Sequence, residues 1–514
     1  MFNKHITFMN RKLMYGCMSI LTLAIGMTSC SSDDDDNNTP PTPSGYIWTT
    51  DGGLKASSGI LFSDGKEDVA GKEIGNGDKE FVFTGKQTLK KGTYLLKGWV
   101  YIANGAELTI EPGTIIKGDK NSKASLIIER GGKLFAQGTA SEPIVFTSAQ
   151  PKGSRKPGDW GGVIMCGNAR NNQDEMQIEG GPRTKHGGTN DADNSGVLSY
   201  VRIEFAGYPF EKDREINGLT LGSVGSGTKL DHIQVSYSND DSYEWFGGTV
   251  NAKYLIAYHG WDDDFDTDNG FSGKVQFGLV VRNSKIADTS LSNGFESDNK
   301  SDGGDVAPYT TATFSNITFV GPKMDENFKN DVSYITGGAM NPNNGSALGK
   351  FQAAMHIRRN SRLSCYNSVA LGYPVGIILD NEKGDTRGAA TSGKLHINNV
   401  WLAGMDLTGV DHNKGTKDKL VTKFEGKNPI FDDTQESFSS TWFKAQSGNK
   451  VLPNISDLGM SSNGYIPTAG SALLTAAMFN DLPGFDKVPY IGAFNIGDDW
   501  TKGWANFDPN NTDY

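Results

Sequence analysis

The stretch VYIANGAELTI (residues 100–110) returns 26 residues later as LIIERGGKLFA (126–136). Val100, Ile102, Leu108 and Ile110 alternate with outward residues around the turn Asn104-Gly105. Leu126, Ile128 and Leu134 do the same around Arg130-Gly131. Both units close on a matching turn, Pro112-Gly113-Thr114 and Gln137-Gly138-Thr139. Period-two alternation is the mark of a strand with one buried face, and Gly supplies the positive φ that a corner needs. A unit of 20 to 30 residues that cannot bury its own apolar face must stack on copies of itself.

The pattern continues through PIVFT (143–147), WGGVIM (160–165), LSYVRIEFAG (198–207), LDHIQVSYS (230–238), AKYLIAY (252–258) and VQFGLVVR (275–282). Later come FSNITFVG (314–321), YNSVALG (366–372) and NVWLAG (399–404), each with an Asn five residues before a Gly. Stacked amides that bond from layer to layer are a structural device, so Asn316, Asn367 and Asn399 read as a ladder without functional content. Long helices are absent from the pattern. The chain is all-β: a right-handed parallel β-helix over 94–430, with an N-terminal cap over 46–93 and a C-terminal cap over 431–514. Insertions at 167–196, 299–311 and 323–360 interrupt the coils, and loops that leave one wall of a solenoid shape its binding face.

Composition agrees. Gly is heavily used (65 of 514 residues), which suits many short strands. At the N-terminus Lys4, Arg11 and Lys12 precede a short apolar run, Leu13 to Met27, that ends Met27-Thr28-Ser29-Cys30. This is a signal peptide (1–29) that resembles a lipoprotein signal, with lipid such as palmitate attached at Cys30. The run Asp33-Asp34-Asp35-Asp36 and a Pro-rich spacer follow (30–45), a linker that cannot fold on itself. The expected address is the outer membrane, facing the cell surface. Removing residues 1–29 moves the formal charge from −11 to −14, which excludes nucleic acid as a partner because that affinity rests on basic patches. Cys166 and Cys365 read as buried free thiols, and no zinc-type Cys spacing exists.

One short phrase recurs in step with the coils: Tyr243-Glu244, Phe265-Asp266 and Phe295-Glu296, at intervals of 22 and 30 residues. If the aromatics stack inward, the three carboxylates form a vertical column facing outward, with strands about 4.8 Å apart. Asp240 and Asp241 join the first layer, Asp262, Asp263, Asp264 and Asp268 the second, and Asp298 the third. Bare anions at that spacing repel unless a cation, protons or basic partners intervene. Oxygen donors in this number suit Ca²⁺, and Asp264-x-Asp266-x-Asp268 partly resembles a calcium loop, although Val275 stands where the bidentate Glu belongs. The alternative is that the acids pair with Arg202, Lys253, Lys274 and Arg282 and merely solubilise a wall. Trp261 and His259, beside the acids, are candidate sugar contacts.

The segments GDWGGVIMCGNA (158–169), NSGVLSYVRIEFAG (194–207), the run from Ile216 to Tyr258, DDDFDTDNGFSGKVQFG (262–278), SNGFESDN (292–299) and the late YIGAF resemble a family of secreted or lipid-anchored β-helix proteins of Bacteroidota. The resemblance implies the fold and the location; that family has no established activity, so it implies no catalytic residues. The leading expectation is a non-catalytic surface lipoprotein that binds Ca²⁺ and a glycan or other extracellular ligand, beside an outer-membrane importer. A polysaccharide lyase or glycoside hydrolase using Glu244, Asp266 and Glu296 is the alternative, and an adhesin the third. A pectin-hydrolase order of motifs is not found: Asp240-Asp241 precedes His259-Gly260, and no Arg-x-Lys follows.

Overall fold

The computed structural model describes residues 73–79, 81–211, 214–412 and 436–514 apart from 481, together with the short strands Tyr46–Trp48, Leu54–Ala56, Val421–Glu425 and Asn428–Phe431. The expected signal peptide, Cys30 and the acidic linker lie outside these residues. No helix among the described residues is long and apolar enough to cross a membrane.

Parallel strands stack into long walls. The first wall has eleven strands, beginning at Phe81–Phe83 and ending at Leu407–Val410. A fifteen-stranded sheet forms the remainder, its main path running from Glu73–Ile74 to Lys450–Leu452. In the early coils this sheet is two walls. The nine-residue strand Gly196–Glu204 fuses them, pairing with Lys133–Gln137 through its first half and with Ile144–Ser148 through its second. The chain is thus an all-β parallel β-helix. Coil pairing begins at Glu73–Ile74 on Thr93–Leu96 and continues with Phe81–Phe83 on Trp99–Ile102, earlier than the expected Tyr94, because strands of two or three residues are too short to show an alternating pattern. At the other end Lys450–Leu452 still pairs with Ile397–Ala403, beyond residue 430. Ala353–Ile357, inside the expected third insertion, is itself a strand of the first wall.

After the walls fuse, each long strand bends at one residue in the left-handed conformation. The bend residues are Tyr200, His232, Tyr254, Phe277, Asn316, Asn367 and Asn399, with φ between 48° and 62°. Register stacks them into one column, since the flanking residues pair coil to coil on both sides. Positive φ is unfavourable for bulky residues, so something must offset it. In the upper coils it is ring stacking: Tyr200 on His232 at 4.3 Å, His232 on Tyr254 at 4.4 Å, and Tyr254 on Phe277 at 5.0 Å. In the lower coils it is amide bonding, Asn399 Nδ2 donating to Asn367 Oδ1 at 2.8 Å. The ladder read from the sequence is therefore the lower half of a longer column.

The C-terminal region does two jobs. The helix Phe438–Ala445 packs on the end of the coil, beside Leu407–Val410. The remaining tail travels back along the bend column. Asn399 donates to Ala476 O and Asn316 to Tyr490 O, both at 2.8 Å. Asn367 both accepts from Met478 N (2.8 Å) and donates to Met478 O (3.0 Å). Gln276 clamps the backbone of Asp486 and Gln234 that of Asn506 in the same two-way fashion. Trp500 and Trp504 then cover the His232 ring edge-on. Asn367→Ala leaves several buried donors and acceptors unmet, which predicts a loss of about 2–4 kcal/mol in urea unfolding. Limited proteolysis should then cut the tail first, between residues 453 and 490.

Candidate cation-binding cavity

The acidic phrase falls into register. Tyr243 pairs with Phe265 and Phe265 with Phe295, while Glu244 pairs with Asp266 and Asp266 with Glu296. All three rings are fully buried inside the coil, with centroids 5.5 and 6.0 Å apart. The alternation of the strand therefore turns the three carboxylates outward in one column. Above them the same column holds Tyr101, Ile127, Ile164 and Thr220; below them it holds His356 and Ile378. The wall is apolar, then acidic, then apolar again.

Outward does not mean exposed. The Pro209–Phe210 segment, Thr289–Ser290 and Asn344–Ala347 rise around the column and enclose a cavity of about 640 Å³. Nine carboxylates line it: Glu179, Asp240, Asp241, Glu244, Asp262, Asp263, Asp266, Asp288 and Glu296. No Lys, Arg or His is among the described lining residues. Three overlapping triads bring carboxylate oxygens within 4.8 Å of one another, namely Asp240/Asp241/Asp262, Asp241/Glu244/Asp266 and Asp263/Asp266/Glu296. Asp241 and Asp266 each belong to two of them, so the oxygens form a continuous strip across the coils.

Short-range bonds fix the strip. Asp241 Oδ1 accepts from Asp263 N at 2.8 Å, and Asp263 accepts from Asn293 N. The Asn217 amide donates to Glu244, and Ser290 stands between Asp262 and Asp288. Asn239 donates to Ser346 at 2.7 Å and ties the Asn344–Ala347 rim to the coil. Asp266 Oδ1 and Asp262 Oδ1 are buried without a hydrogen-bond partner.

Electrostatics follow from this packing. Two anions 4.8 Å apart repel by about 3.5 kcal/mol at an effective dielectric of 20. Burial, followed by the neighbouring carboxylates, pushes Asp241, Glu244, Asp262, Asp263 and Asp266 well above the usual carboxylate range. Asp268 is pushed up to about 7 by burial and by Asp298. Glu296 goes the other way. Burial opposes its charge, but the Arg358 guanidinium and His356 outweigh that and hold it at about 2.

The structure redistributes several residues singled out in the sequence. Asp264 sits at the corner before its strand, buried in an ion pair with Arg282 at 3.0 Å, and does not reach the cavity. Asp298 pairs with Arg358 (2.9 Å) and Arg359, and neither it nor Asp268 lines the cavity. Asp264 thus lies apart from Asp266 and Asp268, which share the outer face of one strand. Trp261 is fully buried against Phe205, Tyr237 and Ile286 instead of lying on an exposed loop. His259 stacks on Tyr258 at 3.7 Å and meets Tyr237 Oη at 3.0 Å; burial lowers it to about 3, so it stays neutral and structural. Of the basic residues considered as partners for the acids, Arg202 lies beside Glu204, Lys253 beside Asp486 and Lys274 beside Pro483 O, all away from the cavity. Glu179 and Asp288 were missed: both lie in irregular segments, where no period marks them. Cys166 and Cys365 are free and buried.

A family model for the pectate-lyase-like β-helix domain matches residues 82–451. The chain belongs to that family. None of the curated proteins matches it. Among solved structures, the Dettilon tailspike protein is similar over 71% of this chain and 62% of its own length, at 10% identity and a TM-score of 0.26. The chain thus spans under two thirds of the tailspike, and a likeness this distant carries no argument about the site. For the β-helix family member described here, the cavity itself supplies the chemistry.

The cavity also sets a pH dependence. The folded chain holds protons that the unfolded chain, with carboxyls near 4, has already released. That stabilisation is complete below about pH 4 and is lost as pH rises through the folded values, about 7 for Asp268. In chelator, the melting temperature should fall between pH 5 and pH 8. The double variant Glu244→Gln/Asp266→Asn should flatten that slope and melt higher than the unaltered protein at pH 8.

Proposed function

We propose that the cavity binds hard divalent cations, Ca²⁺ first, and through them holds an oxygen-rich extracellular ligand, a glycan. The observation that carries this reading is the set of three overlapping carboxylate triads on adjacent coils, each with its oxygens within 4.8 Å of one another. Such a pocket cannot keep its charges near pH 7 without a counter-ion, and Ca²⁺ accepts six to eight oxygens in irregular geometry. The strip of shared carboxylates fits more than one ion, since Asp241 and Asp266 each reach two triads. A bound ion with open positions then coordinates the hydroxyls or carboxylates of a sugar, while Phe210 and Pro209 on the rim offer an apolar face. The lipobox-like Cys30 and the acidic linker support an outer-membrane, surface-facing location.

One observation favours a second reading, glycan cleavage. Asp266 and Glu296 are neighbours whose surroundings drive them apart, one up and one down to about 2. Pairs separated in this way divide acid and base roles in glycosidases. Their oxygens lie within 4.8 Å, short of the 6.5–9.5 Å gap of inverting enzymes. A lyase of the kind that uses Lys or Arg as base finds neither among the lining residues.

Ca²⁺ at a hundredfold excess over its Kd should stabilise the protein by ~2.7 kcal/mol. Asp241→Asn combined with Asp266→Asn should remove that gain, and an unaltered protein indifferent to Ca²⁺ would refute the cation site. Incubation with acidic and neutral polysaccharides distinguishes scaffold from enzyme. Calcium-dependent binding without new reducing ends or unsaturated products is expected; turnover abolished by Asp266→Asn would establish the enzyme instead.

A further inference from the structure

A second group of metal-ligating side chains stands outside the cavity. Asp380, Glu382 and His412 each bring one donor atom within 4.8 Å of the others. Asp380 follows the strand Val375–Leu379 and His412 follows Leu407–Val410; because Ile378 pairs with Val410, the two residues occupy the same position on adjacent coils. His412 Nδ1 lies 2.7 Å from Asp380 Oδ2 and 3.7 Å from Glu382 Oε2. Donors on a tetrahedral ion with bonds of about 2.0–2.1 Å sit about 3.3 Å apart, and the two observed separations straddle that value.

The surroundings are those of a prepared ligand set. Asp380 is almost fully buried, and its other oxygen, Oδ1, accepts from Glu382 N at 2.6 Å. A buried imidazole, His356, places Nε2 at 3.2 Å from Asp380 Oδ2, while its Nδ1 faces Glu296 at 3.5 Å. Carboxylates that bind metals are held from behind in this manner. The Glu382 side chain is exposed and that of His412 is 12% exposed. The donor chemistry also differs from that of the cavity. An imidazole nitrogen with two carboxylates selects Zn²⁺, Co²⁺ or Ni²⁺ over Ca²⁺, and no imidazole lines the cavity.

We propose that Asp380, Glu382 and His412 form a second cation site, which takes one divalent transition ion of the Zn²⁺ type. The site is separate from the calcium cavity and does not depend on it. His356 is a positioning residue between the two, touching Asp380 on one side and Glu296 on the other.

The test uses the full chain, stripped of metal and then kept in excess Ca²⁺, with Co²⁺ as the probe because its visible bands report coordination by few ligands. One equivalent of Co²⁺ should bind with such bands, and Zn²⁺ should displace it. Glu382→Gln, on an exposed side chain, and His412→Ala should each weaken Co²⁺ tenfold or more, with unchanged circular dichroism. Asp266→Asn should leave Co²⁺ binding intact. Absence of the bands, uptake that survives both site variants, or uptake lost in Asp266→Asn would each overturn the proposal, the last by placing the cobalt in the cavity.

Discussion

Everything in this molecule depends on register. Coils are held at the spacing of neighbouring strands, and each coil must present the same position to the one above it. The bend column shows how strictly this is enforced. Tyr200, His232, Tyr254, Phe277, Asn316, Asn367 and Asn399 all accept a left-handed backbone that most of them disfavour. A single coil could adopt that conformation without strain by using Gly. A stack uses it as an opportunity, because identical bends place identical side-chain directions above one another, and stacked rings or amides return part of the strain. The same enforcement puts Glu244, Asp266 and Glu296 in a line.

The acidic cavity is the costly product of that rule. Acids on a solvated wall would repel weakly and be screened. Here the carboxylates are largely buried, so the repulsion acts at close quarters and drives their pKa values up. Nature has three ways to quiet such a group, and this wall shows two of them side by side. Glu296 and Asp298 are matched by Arg358 and Arg359, and Asp264 by Arg282. Asp241, Glu244, Asp263 and Asp266 instead converge on an open volume, their oxygens shared between overlapping triads.

How much of this could be read from the chain is instructive at particular residues. The coil and the acid column were legible because aromatic–acid pairs repeat at coil spacing, and period two fixes which side faces out. Corners were not. Trp261 and Asp264 sit where the strand rule stops, and both turned inward. Glu179, Asp288 and the Asn344–Ala347 rim come from irregular segments with no period, so nothing in the chain pointed them at the cavity. The bend column was visible in part only. Aligning LSY, LDH, AKY, VQF, FSN, CYN and INN shows one shared position, but chemistry hid it: Asn advertises a left-handed bend, while Tyr and Phe do not. The Gln234 and Gln276 clamps on a distant backbone gave no local sign at all.

The tail that covers the bend column has a consequence for how the protein is made. Arg155 of an early coil donates to Pro509 O and Thr512 O, Lys117 donates to Tyr514 O, and the Tyr514 hydroxyl donates to Glu204. Early coils are therefore sealed by residues far later in the chain. The seam joins positions 310 to 397 apart in sequence, so the early coils cannot be sealed until both sides of it have been made.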